Sequence, residues 1–145
     1  MVTKLYVASS WRNDLQPSVI QILRVHGFEV YDFRNPREGD MGFSWRQIDG
    51  GWQSWNVDEY REALKDPIAE AGFSSDMSAL YATDAVVLLL PCGASAHVEA
   101  AWAAGKGKRV AVLIPEPCKW EPELMYKVFG LVTADINEVI DWFRH

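Results

Sequence analysis

Apolar residues in this chain fall into short continuous blocks separated by amphipathic stretches. Leu5 to Ala8 is the first block, ending at Ser9 and Ser10. It reads as a buried strand. Val19, Ile20, Leu23 and Val25 then recur at helical spacing, with Asn13 and Asp14 placed to cap the helix and Gly27 placed to end it. Phe28 to Phe33 forms a second short strand, and the block AVVLLL, Ala85 to Leu90, a central one. A helix is expected from Ser95, as its cap, to about Ala104, with Gly105 just past its end. Arg109 to Ile114 follows as a fourth strand, Gly130 to Thr133 as a weaker fifth, and Asp135 to Phe143 as a closing helix.

Runs that are apolar throughout suit strands covered on both faces, and strands alternating with helices imply a parallel, doubly wound α/β sheet of about five strands with helices on both faces. Ligands in such sheets sit beyond the carboxyl ends of the strands, where strand order reverses. Ser9 to Asn13, the chain from Arg34 onward, and Pro91 to Ser95 are expected there. The chain of 145 residues is one domain in length, 1–145, with a long loop insertion at about 35–56 that carries Phe43, Trp45, Trp52 and Trp55.

Charge and composition narrow the partners. The net charge is −6 and the 14 Lys and Arg residues are scattered, which argues against nucleic acid or an anionic membrane. The longest apolar run is far short of the roughly 20 residues of a membrane helix. Cys92 and Cys118 form no CxxC and no metal-like spacing with histidine, which fits a reducing, cytoplasmic setting, and no metal or cofactor is called for.

Four segments carry candidate chemistry. In PCGASAHVE, residues 91–99, Gly93 to Ser95 lie between strand and helix, where backbone N–H groups and the helix dipole favour an anion. Glu99, four residues after Ser95, can face the same cleft; an ordinary turn with an exposed glutamate fits equally well. Asp76, in SSDMSALYATD, is placed near the start of a helix whose buried side is Met77, Leu80 and Tyr81, where it serves either as a cap or in the site. Asp84 reads as a turn residue. Ser9, Ser10, Arg12 and Asn13 after the first strand are either a capped helix start or a phosphate cradle, arginine being suited to planar, bidentate contacts. The tryptophans of the insertion, Trp45 among them, can stack on a nucleobase or form a subunit interface. His97 is expected to pack or lie at the surface, and no base is evident for Cys92.

Taken in order, LYVASSWRN, DMSALYATDAVVLLL and PCGASAHVEAAWAAGKGKRV resemble the nucleoside 2-deoxyribosyltransferase superfamily, which includes hydrolases of deoxynucleoside monophosphates. The resemblance implies a flavodoxin-like fold and a covalent mechanism. Glu99 matches the nucleophile, Asp76 the aspartate that binds the sugar and helps the base leave, and Tyr6 the aromatic that orients the glutamate. Ser10, Arg12, Asn13 and Ser95 match positions that bind a 5′-phosphate, and Ser9 and Gly93 stand beside them; Trp45 is a substrate-binding candidate from the aromatic loop alone. Many transferases carry an aspartate six or seven residues before the glutamate. Gly93 and Cys92 stand there instead, which leans towards hydrolysis. The expected partners are a nucleoside or nucleotide substrate and further copies of the chain as a homodimer or larger assembly, with the helix around Ala100 to Ala104 and Trp102 contributing surface. Two other functions remain open on the same residues: an NAD glycohydrolase of TIR-like type, and a nucleotide-binding module without turnover.

Overall fold

A computed structural model describes residues 1–145, which divide into two compact units: 1–32 with 82–145, and 33–81. The first holds a five-stranded, all-parallel sheet. Its strands are β1 (Lys4–Ala8), β2 (Glu29–Tyr31), β3 (Ala85–Leu89), β4 (Arg109–Leu113) and β5 (Leu131–Thr133), in the order β2-β1-β3-β4-β5. The helices are α1 (Gln16–Val25), α2 (Val57–Ala63), α3 (Pro67–Ala82), α4 (Ala94–Gly105) and α5 (Ile136–Arg144). The α/β class, the strand count and the parallel pairing are those the apolar blocks predict.

Alternation along the strands divides the core between two faces. Leu5, Val7, Ala85, Val87, Leu89, Ala111 and Leu113 pack with Val19, Ile20 and Leu23 of α1 and Val139, Ile140 and Phe143 of α5. The opposite face carries Tyr6, Val86, Leu88, Val110 and Val112, all buried, and α4 lies over it. The buried positions of α4 are Ala96, Ala100 and Ala103, side chains small enough to let the helix approach the sheet closely.

Several boundaries differ from the expected ones. β2 is three residues long, since its ladder runs only from Glu29 to Tyr31; Phe28, just before it, packs edge-on against Phe143. Ser95 is inside α4; Gly93 is the N-cap and has no capping side chain. Gly105 is the last helical residue, and the left-handed turn that leads the chain into β4 is at Gly107, φ 80°. Leu15 takes the N-cap of α1, while Asn13 Oδ1 accepts from the Leu15 N–H at 2.9 Å; Asp14 does not cap it. Gly27 has φ 93° just after α1, as its sequence position implies.

The second unit contains the Trp-rich segment. It is ordered by two single 3₁₀ turns, Trp45–Gln47 and Trp52–Ser54, and by reciprocal caps, Ser44 with Gln47 and Asn56 with Glu59. Trp45 lies edge-on to Phe43, Trp55 and Tyr60, with ring centroids 4.8, 5.5 and 5.9 Å away. The Trp55 indole N–H donates to Asp49 at 2.8 Å. Asp49 titrates below the ordinary carboxylate range because the Gly51 N–H, and then that indole, bond its charged form. α3 begins at Pro67, with Asp66 accepting from the Ile68 N–H, so Asp76 lies mid-helix and does not cap it. Leu80 is buried as expected, but Met77 is half-buried and Tyr81 exposed.

Candidate functional site at the carboxyl edge of β1 and β3

Strand order reverses between β1 and β3, and in sheets of this kind the crevice that receives a ligand lies beyond the carboxyl edge at such a switch. The loop after β1 carries Ser9 to Asn13. The loop after β3 carries Pro91 to Gly93 and leads into α4.

Two buried side chains of the first loop bind it to the end of β3 and to the loop that follows. Ser9 Oγ donates to the Leu89 carbonyl at 3.0 Å, and Asn13 Nδ2 donates to the Pro91 carbonyl at 3.2 Å. Ser9 and Asn13 are 8% and 2% exposed, so both join the walls of the crevice from within. Ser10 Oγ accepts from the Arg12 N–H at 3.1 Å, and the Arg12 side chain is exposed. Gly93 and Ser95 are exposed at the start of α4. The N–H groups of Ala94, Ser95 and Ala96 open the helix and have no acceptor within it.

Deeper in the same unit, the Tyr6 hydroxyl donates to Glu99 Oε2. Tyr6 lies on the β1 face that α4 covers, and Glu99 is half-buried one turn into α4. The Tyr6 ring stacks on that of Tyr31, with centroids 5.2 Å apart and planes 14° from parallel. Asp32, just past β2, accepts from the Gln16 side chain at 2.8 Å, and Gln16 is fully buried at the start of α1. A carboxylate held by a phenol beside a helix N-terminus can act as a nucleophile, or stabilise positive charge, while the helix start receives an anion.

No protein-family model matches the chain, and no curated protein matches it. Among solved structures, a 2-deoxyribosyltransferase from the psychrotolerant bacterium Bacillus psychrosaccharolyticus superposes with a TM-score of 0.58. It is 19% identical, over 94% of this chain and 90% of that one. The two share a fold. A CMP N-glycosidase from Clostridium botulinum aligns over 98% of both chains at 14% identity and a TM-score of 0.47.

Within this deoxyribosyltransferase-like fold, the residues near the crevice sort by environment. Burial, and then the nearby Glu99 carboxylate, push the Cys92 thiol up to about 12. Cys92 Sγ lies 3.8 Å from His97 Nδ1, yet the thiol stays protonated and is no nucleophile at neutral pH. His97 has a packing role. Its Nδ1 bonds the Gly93 carbonyl and its Nε2 the Tyr126 hydroxyl, both at 2.8 Å. Because the carbonyl can only accept, Nδ1 donates to it; in the neutral tautomer with that proton, the Tyr126 hydroxyl donates to Nε2. Burial, followed by Cys92 and Glu123, raises the Tyr126 phenol above its ordinary value.

The structure thus brings together Tyr6 and Glu99, and ties the Ser9–Asn13 loop to the one that carries Gly93. Asp76 and Trp45 belong to the second unit. Sequence reasoning missed Tyr31, Gln16 with Asp32, and the His97–Tyr126 pair. Tyr31 carried one usable signal, an aromatic at the end of β2 matching the one in β1. The other pairs join different elements and leave no local pattern. No group of three or more His, Cys, Asp or Glu side chains is arranged to hold a metal ion, and no helix is long and apolar enough to cross a membrane.

Proposed function

We propose that the protein cleaves, or transfers across, the N-glycosidic bond of a nucleoside or nucleoside 5′-monophosphate, with Glu99 as the nucleophile. The observation that carries this reading is the Tyr6–Glu99 hydrogen bond, on elements that meet at the switch in strand order. The fold shared with a 2-deoxyribosyltransferase supports it.

In the first step a Glu99 oxygen bonds the anomeric carbon as the bond to the base breaks. The electron pair leaves with the base, which takes up a proton. Water then adds to the anomeric carbon, Glu99 departs as carboxylate, and the water proton is released; a second base in place of water gives transfer. Each displacement inverts the anomeric carbon, so the product retains the starting configuration. Tyr6 orients Glu99 through the hydroxyl it donates. Arg12, Ser10 and the N–H groups at Gly93 to Ser95 would take a 5′-phosphate. Asp76 as the group that aids base departure rests on the sequence resemblance, and Trp45 as a base-stacking residue on the aromatic character of its segment; substitution of each checks them. Cys92 and Gly93, where many transferases place an aspartate, favour water as the acceptor.

The test is release of free base from a panel of nucleosides, their 5′-monophosphates and NAD, with Glu99→Ala as control. Base release that is lost in Glu99→Ala supports the reading. Nicotinamide release from NAD alone would replace it with glycohydrolase activity on the dinucleotide. Tight binding without turnover would leave a nucleotide-binding module.

A further inference from the structure

We infer that Tyr31 is a positioning residue for Glu99 and acts through Tyr6; the inference rests on the reading of Glu99 as the reacting carboxylate. Tyr6 and Tyr31 are direct partners in the β1–β2 register, so they project on the same face of the sheet. Side chains paired across parallel strands start about 4.8 Å apart, and the two rings keep that spacing to their tips, with centroids 5.2 Å apart and planes within 14°. On the other flank, the register pairs Tyr6 with Val86 of β3, which is buried. The Tyr6 ring is therefore bounded by a flat aromatic wall on one side and a β-branched side chain on the other.

This confinement matters because of where the Tyr6 hydroxyl lies. It is at the far end of the ring from the backbone, so a small tilt about the Cα–Cβ bond moves the oxygen further than any other atom of the side chain. That oxygen holds Glu99 Oε2. Glu99 reaches the pair from α4, whose buried positions Ala96, Ala100 and Ala103 let the helix lie close to the sheet. The phenol fixes one oxygen of the carboxylate, and the ring stacked against the phenol limits how far it can tilt. Tyr31 is half-buried on the three-residue edge strand β2.

A double-mutant cycle decides between positioning and simple packing. Tyr31→Phe keeps the flat face and should retain kcat within about 2-fold. Tyr31→Leu removes it and should lower kcat by about 10-fold with KM little changed, since misplacing a reacting group costs rate more than affinity. It should also move the acid limb of the pH–rate profile in the same direction as Tyr6→Phe. On a Tyr6→Phe background, Tyr31→Leu should have no further effect. A full additional loss there, or a Tyr31→Leu enzyme with unchanged kcat and pH profile, overturns the inference. Tyr31→Met provides the same test if the leucine variant does not fold.

Titration of the Glu99 side-chain carboxyl by 13C NMR reads the coupling without turnover. Tyr6→Phe and Tyr31→Leu should move its midpoint the same way, because both weaken one donated hydrogen bond. A midpoint that moves in Tyr6→Phe and stays in Tyr31→Leu overturns the inference even if the protein releases no base. Absence of base release in the wild type counts against the proposed function alone.

Discussion

Tyr6 and Glu99 stand 93 positions apart in the chain and meet through a hydrogen bond from the phenol to the carboxylate. The meeting is a consequence of topology. β3 pairs alongside β1, the chain turns over the carboxyl edge, and α4 runs back across the face on which Tyr6 lies. Neither residue needs a loop to hold it, so the pair is built on the rigid part of the unit.

Removing either member should have different consequences. With Glu99 as the proposed nucleophile, Glu99→Ala should lower base release by at least about 10³-fold, because the group that would form the covalent intermediate is gone. Tyr6→Phe keeps the ring and loses only the donor, so kcat should fall by roughly 10–100-fold while the fold is retained. Steady-state kinetics on the best nucleoside or monophosphate measures both. Mass spectrometry of a trapped sugar adduct on Glu99 checks the covalent step.

Arg12 is exposed beside the crevice, close in sequence to Ser10, whose hydroxyl shapes the same turn. A guanidinium that contacts the 5′-phosphate contributes only for phosphorylated substrates. Arg12→Ala should raise KM for the monophosphate about 10-fold, roughly 1.4 kcal/mol, and leave the nucleoside unchanged. Equal effects on both substrates would mean that Arg12 serves the fold or the sugar.

Cys92 is beside the turn but chemically quiet. With its thiol pushed up to about 12 by burial and by Glu99, roughly one molecule in ten thousand carries the thiolate at pH 8. Iodoacetamide at that pH should label Cys92 slowly until the protein is unfolded. Cys92→Ala should keep most of the base-releasing activity. Rapid labelling of the native protein, followed by peptide mapping to Cys92, would contradict this.

Asp84 gives the fold a defined response to acid. Its Oδ2 accepts from the N–H groups of Lys4 and Thr3 at 2.9 and 2.8 Å and from the Thr3 hydroxyl at 3.0 Å. The Lys4 N–H, then the Thr3 N–H, hold its carboxyl below the ordinary 3.8. A depressed folded value means that the stabilisation is full above the unfolded value and is lost as pH falls through the folded one. Wild-type stability should therefore decline between about pH 5 and pH 2, and the decline should be shallower in Asp84→Ala. At pH 7 that variant should be less stable by about 1 kcal/mol, a modest figure because the carboxylate is solvent-exposed. Urea denaturation across the pH range measures both.

Much of the architecture is local and was legible in the chain. Continuous apolar runs such as Leu5–Ala8 and Ala85–Leu89 declare strands covered on both faces, and the spacing of Val19, Ile20 and Leu23 declares the helix between them. Gly27 marks a turn because a left-handed backbone has few other tenants. Glu99 stood out as a candidate because strand, glycine turn and helix follow one another within a few residues, while the nucleophilic role came from the family resemblance. The order of the strands was not written locally, and it is the order that puts Ser9 on Leu89 and Tyr6 on Glu99. Only the folded chain showed that Ser9 bonds the end of β3 and Asn13 the facing loop, and that Asp76 sits in the middle of α3 where a place near the helix start was expected. The same holds for Tyr31 behind Tyr6 and for Tyr126 on His97. Periodicity and turn chemistry act over a few residues and so reach the elements. Side-chain partners are chosen by packing between elements distant in sequence, where the burial of apolar faces decides which hydroxyl meets which carboxylate.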